Sequence, residues 1–205
     1  MTDRTIRVLT TIPLEEPDLQ RIRSAAPAID LVQSTGPAEE FLPLAADAEV
    51  WLGHQAQYAK ATSPGRLRWC QNSSAGVEMM MKTFLLQETD VPFTNASGVQ
   101  TIAIAEWVMT ALLVLTRQVP LLMRRQGERC WTDVRRDPIL WCNEVRGATL
   151  GLIGYGSIGG AVAQLATGFG MRVLASKLDP STPPTRWNPP GVGDPAAKYP
   201  ERVYG

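Results

Sequence analysis

The stretch TLGLIGYGSIGGAVAQLATGFGMRVLASK, Thr149 to Lys177, constrains the fold more than any other part of the chain. The apolar run ATLGLI (148–153) reads as a buried strand and leads into three glycines spaced G-x-G-x-x-G. SIGGAVAQLATGF (157–169) then continues as a helix with Ile158, Val162, Leu165 and Ala166 on one face, and MRVLAS (171–176) reads as a second strand. A strand, a crossover helix and a second strand make a parallel β-α-β unit. The three glycines serve different purposes. Gly154 permits the tight turn, Gly156 removes the side chain that would block a pyrophosphate, and Gly159 lets helix and strand pack closely. Backbone N–H groups of the turn and helix start, around Tyr155, Ser157 and Ile158, face the phosphate, where the helix dipole favours an anion. The alternative is a glycine-rich turn without a ligand. A bare glycine pattern is weak, but strand, spacing, helix and second strand agree on dinucleotide binding.

The end of the second strand bears on which dinucleotide. An Asp or Glu there would accept hydrogen bonds from the adenosine ribose 2′-OH, but this sequence reaches Ser176 and Lys177. A lysine cannot accept those bonds, whereas it neutralises a 2′-phosphate. NAD(P) is therefore the expected cofactor, tilted toward NADP, with Asp179 near enough to compete and a solvated Lys177 as the other reading.

The first half alternates strand-like runs with helix-length or loop segments: TIRVLT (5–10), IDLVQS (29–34), EVWLG (49–53), LRWCQNSS (67–74) and VPFTNAS (91–97). That alternation predicts a parallel sheet covered by helices. EEPDLQRIRSAAP (15–27) spaces Leu19, Ile22 and Ala26 as a helix, with Pro17 in its first turn and Pro27 at its end. TIAIAEWVMTALLVLT (101–116) is shorter than the ~20 residues of a bilayer span and contains Glu106; a buried or interface helix over 101–119 is expected. A tryptophan-bearing polar stretch (124–147) reads as a surface arm, and the proline-rich and glycine-rich segment 179–200 as a loop, with ERVYG (201–205) starting one more strand.

Charge excludes several partners. Lysine plus arginine and aspartate plus glutamate are 20 each, so no strong field favours nucleic acid or an anionic membrane. Three unpaired-looking cysteines suit reduced thiols in the cytoplasm, and a single histidine makes a zinc site improbable, so no metal is expected.

Three ordered motifs carry a family resemblance over nearly the whole chain: LRWCQNSSAGVE (67–78), TNASGVQTIAIAEWVMTALL (94–113) and EVRGATLGLIGYGSIGGAVAQLATGFGMRVLAS (144–176). The chain resembles the D-isomer-specific 2-hydroxyacid dehydrogenases, particularly the glyoxylate and hydroxypyruvate reductase-like members. The resemblance implies an α/β fold, with a flavodoxin-like substrate domain whose N-terminal portion is 1–98, followed by the first part of a Rossmann dinucleotide-binding domain in 99–205. It implies reduction of small 2-keto acids by hydride transfer, homodimers in the full-length family, and backbone N–H groups of Ser74, Ala75 and Gly76 on the substrate carboxylate. A small-residue turn at a strand end exposes such donors.

The family's late arginine, glutamate and histidine are not matched. His54, in WLGHQAQ, precedes the cofactor segment, and Arg146, in NEVRG, lies just before its first strand, so neither stands where the resemblance implies a catalytic residue. A complete six-stranded nucleotide-binding sheet also needs more chain than follows Gly154. No catalytic residue is assigned, and the 205 residues alone are expected to be inactive. A non-enzymatic dinucleotide-binding or dimer-partner module is the alternative function.

Overall fold

The computed structural model describes residues 4–26, 28–131, 141–181 and 187–205. Residues 1–3, Pro27, residues 132–140 of the tryptophan-bearing stretch and residues 182–186 of the proline-rich one lie outside them. The chain forms two compact units, Met1–Ser97 and Gly98–Gly205.

The first unit is a five-stranded parallel sheet built from β1 (Ile6–Thr10), β2 (Ile29–Gln33), β3 (Val50–Gly53), β4 (Trp69–Asn72) and β5 (Phe93–Thr94), in the order β2-β1-β3-β4-β5. This is the flavodoxin-like order, which reverses direction between β1 and β3 and opens a crevice at the carboxyl ends of the strands. The pleat sends alternate residues to opposite faces. Leu9, Trp51, Cys70 and Phe93 are in register across four strands and pack into one core with Phe41 and Ala45 of α2 (Ala38–Asp47), Tyr58 of α3 (Gln55–Tyr58), Met80, and Leu85 of α4 (Phe84–Gln87). Trp51 and Tyr58 are fully buried with their rings edge to face, 4.7 Å between centroids. Their polar atoms are satisfied: Trp51 Nε1 donates to Thr11 Oγ1 at 2.9 Å, and the Tyr58 hydroxyl lies 2.9 Å from the Trp51 carbonyl and 2.6 Å from that of Gln71. Burial pushes the Cys70 thiol up to about 12, so it is a packing group and not a nucleophile. The opposite face carries Val8, Val50 and Trp69, and α1 (Glu16–Ala25) covers it in part, bordering a groove of about 740 Å³.

The second unit begins with α5 (Thr101–Thr116) and α6 (Val119–Gly127), bent by 61° from each other. The expected helix over 101–119 ends three residues early. Pro120 has no N–H to continue the ladder, Gln118 takes the left-handed conformation with φ 54°, and the Thr116 carbonyl accepts from Asn143 N instead. Residues 124–127, expected from sequence to belong to an arm, are part of α6. No single helix among the described residues is long and apolar enough to cross a membrane.

The sheet of this unit is β6 (Thr149–Ile153), β7 (Arg172–Ser176) and β8 (Arg202–Tyr204), all parallel, in that order. Between β6 and β7 runs α7 (Ser157–Gly168), and its buried side differs from the sequence expectation: Gly160, Ala161, Val162, Ala163 and Ala166 are buried, while Ile158 and Leu165 are exposed. Small residues allow close approach to the sheet and to Ala105 and Met109 of α5, which the two larger side chains would prevent.

Candidate functional site

The glycine turn joins the carboxyl end of β6 to the start of α7. Gly154 has φ 94°, which only glycine adopts without strain, and its N–H donates to the Ser176 carbonyl at 3.0 Å, tying the turn to β7. Gly156 is the N-cap, and no side chain caps the helix. A Cβ placed at Gly154 or Gly156 would meet no atom within 4 Å among the described residues, so the space over these two glycines is open to them. Gly159 is different in kind: a Cβ there would come 2.5 Å from the Gly154 carbonyl oxygen, so its glycine lets helix and turn touch. The N–H groups of Ser157, Ile158 and Gly159 begin the helix and find no protein acceptor among the described residues. Free amides, a helix dipole and open space above two glycines fit a dinucleotide pyrophosphate.

The side chains of this turn have other partners. Tyr155 is buried and its hydroxyl donates to Asp194 Oδ2 at 2.7 Å; Tyr199 N donates to the same oxygen at 2.9 Å. Burial first, then the Asp194 hydrogen bond and charge, raise the Tyr155 pKa, keeping the phenol protonated. Only the backbone of Tyr155 is left for a ligand. Ser157 is buried with its hydroxyl 3.5 Å from the Trp187 carbonyl, and the Ile158 side chain is exposed. Residues 187–199 thus fold back against α7 and the Tyr155 side chain, and a Cβ at Gly160 would come 2.7 Å from Asp194 N. Asp194 is not legible in the sequence, because it sits in an aperiodic GVGDP run with no spacing to mark it.

Ser176 ends β7, half-buried, and Lys177 N donates to the Tyr204 carbonyl at 2.8 Å. Asp179 is occupied locally, its Oδ1 accepting from Ser181 N at 3.0 Å and Ser181 Oγ at 2.6 Å.

In the first unit, the loop after β4 holds Ser74, Ala75 and Gly76 at the carboxyl edge of the sheet. None of their N–H groups donates to an acceptor among the described residues. Their carbonyls are engaged, by the side chains of Asn72 and Asn95 and by Ala96 N. Glu78, an exposed carboxylate, stands beside Gly76 and opposes an anion there. Asn72 and Asn95 escape a reading of the sequence by periodicity, although asparagine next to a serine-rich or glycine-rich turn is a recognisable turn signal.

His54 caps α3: its Nδ1 accepts from Ala56 N at 3.3 Å, its own N–H donates to Gln57 Oε1 at 2.8 Å, and Gln57 Nε2 donates to the Thr11 carbonyl at 2.9 Å. Arg146 packs its side chain beside Gly170, at the turn before β6.

The sequence pattern described as D-isomer specific 2-hydroxyacid dehydrogenase, NAD binding domain, matches residues 109–188. Over 81 residues the chain is 38% identical to a glyoxylate reductase from Korarchaeum cryptofilum, covering 40% of this chain and 24% of that protein. Over 109 residues it is 35% identical to a D-2-hydroxyacid dehydrogenase (NAD(+)) from Clostridioides difficile, covering 53% of this chain and 32% of that protein. In three dimensions it is similar to a D-isomer specific 2-hydroxyacid dehydrogenase family protein from Aeromonas salmonicida, with a TM-score of 0.71 at 24% identity, over 99% of this chain and 58% of that one. The matches thus span about a quarter to a third of these curated relatives, and less than two thirds of the solved structure.

Proposed function

We propose that the protein, whose residues 109–188 match the sequence pattern of the NAD binding domain of D-isomer specific 2-hydroxyacid dehydrogenases, serves as an NAD(P)-dependent reductase of small 2-keto acids, working in the cytoplasm. The observation that carries this reading is the glycine turn, with its open space above Gly154 and Gly156 and its unengaged N–H groups at Ser157, Ile158 and Gly159.

The bound dinucleotide supplies the hydride. The amides of α7 hold its pyrophosphate, and Gly156 keeps that approach clear. Ser176 and Lys177, at the carboxyl end of β7, stand where the adenosine ribose is read. Lys177 favours a 2′-phosphate, and the engagement of Asp179 by Ser181 supports NADP over NAD. The N–H groups of Ser74, Ala75 and Gly76 hold the substrate carboxylate. Proton delivery and carbonyl polarisation are not assigned to any residue of 1–205. General acid–base help is typically worth ~10² to 10⁴ in rate.

Calorimetric titration tests the reading: NADPH is expected to bind more tightly than NADH, and the K177A substitution to remove the difference. Absence of heat with both dinucleotides at millimolar concentration overturns it. A homodimer is the proposed assembly, favoured by Ile102, Trp107 and Leu115, which leave α5 with large exposed apolar side chains. Light scattering of the wild type, set against W107E, is expected to show a dimer that the charge disrupts.

A further inference from the structure

We infer that Asn72, helped by Asn95, is the positioning residue of the carboxylate loop, setting the direction of the amides that meet the substrate; this rests on the carboxylate reading of that loop. Asn72 is the last residue of β4 and is fully buried. Its Nδ2 lies 3.1 Å from the Ser74 carbonyl, 2.9 Å from Ser74 Oγ and 2.9 Å from the Gly76 carbonyl, so one amide group draws two backbone carbonyls inward. Ser74 Oγ adds a donation to the Gly76 carbonyl at 3.1 Å, and Asn95 Nδ2 donates to the Ala75 carbonyl at 3.0 Å.

The consequence follows from the planar trans peptide, in which the N–H of one residue points opposite to the carbonyl of the residue before it. Drawing in the Ser74, Ala75 and Gly76 carbonyls turns outward the N–H groups of Ala75 and Gly76, two of the three proposed carboxylate donors, and that of Val77 after them. None of these three has an acceptor among the described residues. Successive outward N–H groups form an anion-binding concavity. The direction of those donors is therefore set by two side-chain amides that need not touch the substrate. Asn72 Oδ1 is buried without a hydrogen-bond partner, so the Asn72 side chain acts here through its donor end alone.

The test is amide-resolved NMR of the full 205-residue chain titrated with oxamate, a stable 2-keto acid analogue. The wild type is expected to show shifts at Ala75, Gly76 and Val77. N72D keeps the shape of Asn72 but has no donor, and is expected to weaken oxamate binding by about tenfold or more, as the loss of positioned donors implies. NADPH affinity and the signals of Trp51 and Tyr58 stay as in the wild type. N95A, at an exposed position, is expected to weaken oxamate by about threefold, and it decides the matter where N72D fails to fold. Oxamate binding within about twofold of wild type in a folded N72D, or in N95A when that variant decides, overturns the positioning role while leaving the carboxylate reading intact. A wild type whose loop amides ignore oxamate overturns the carboxylate reading, and the positioning role falls with it.

Discussion

The unit Met1–Ser97 holds the loop after β4 on a five-stranded sheet whose inner face is sealed by Trp51, Tyr58, Phe41 and Leu85, whereas Gly98–Gly205 holds its glycine turn on three strands, with Ile153 at the end of β6 wholly exposed. The outer edge of β6 pairs with no strand among the described residues. In the first unit large aromatic side chains and satisfied polar atoms fix the frame, and a pair of asparagines orients the loop. In the second, rigidity comes from small residues: Gly159, Gly160 and the alanines of α7 let backbones meet, and one buried carboxylate, Asp194, anchors a long loop against α7. Both units leave successive backbone N–H groups without acceptors among the described residues, but one holds them by volume and the other by closeness.

The largest effect should come from removing volume in the first unit. Trp51→Ala deletes a fully buried indole and its hydrogen bond to Thr11, and is expected to cost about 3–5 kcal/mol. Hydrogen exchange read segment by segment should then show protection lost in β1, β3 and β4 and retained in α7. Equal loss in both units would erase the distinction between them.

In the second unit closeness is what fails. Gly159→Ala puts a Cβ 2.5 Å from the Gly154 carbonyl oxygen and is expected to cost about 1–3 kcal/mol, measured by denaturant unfolding. Asp194→Ala leaves the Tyr155 hydroxyl and Tyr199 N–H without their shared acceptor, and about 1–2 kcal/mol is expected from the lost bonds. A neutral outcome for Gly159→Ala would mean that α7 and the turn do not depend on close approach, and one for Asp194→Ala that the loop 187–199 does not brace the turn.

Acid should separate the units more weakly. Burial raises the Glu49 carboxyl, but the hydrogen bond from Arg68 and the charges of Arg4, Arg68 and Arg66 together outweigh it and hold the pKa below the ordinary 4.5. In the second unit, the hydrogen bond and charge of Arg172 hold Glu201 below the same value against desolvation. A carboxyl depressed in the folded state contributes stability that is present above its unfolded value and lost as pH falls through its folded one. Unfolding midpoints should thus fall below pH ~4.5. Glu49→Gln should flatten the curve more than Glu201→Gln, because Glu49 is buried between two arginines and Glu201 is half-exposed.

How much of this is legible in the sequence differs between the units for physical reasons. Short β-rich runs such as TIRVLT and EVWLG announce strands of a parallel sheet covered by helices, and the glycine spacing announces its turn because only glycine tolerates the backbone at Gly154. The buried side of α7 does not follow hydrophobic size, because close approach is the constraint there; Ile158 and Leu165 face outward for that reason. The end of α5 is set by the missing N–H of Pro120, against the apolar character that would carry the helix on to Val119. Asp194, Asn72 and Asn95 act through bonds to residues that only the fold, or a local turn, brings near, and no periodicity marks them.

The central claim is that the space above the glycine turn is kept open for a dinucleotide. Gly156 has φ −110°, which any residue adopts, and a Cβ there meets nothing within 4 Å among the described residues. Calorimetry of Gly156→Val with NADPH, beside its denaturation curve, tests the claim most directly. Stability within about 0.5 kcal/mol of wild type, with dinucleotide binding lost, is the predicted result. Undiminished NADPH binding by the stable variant would contradict it.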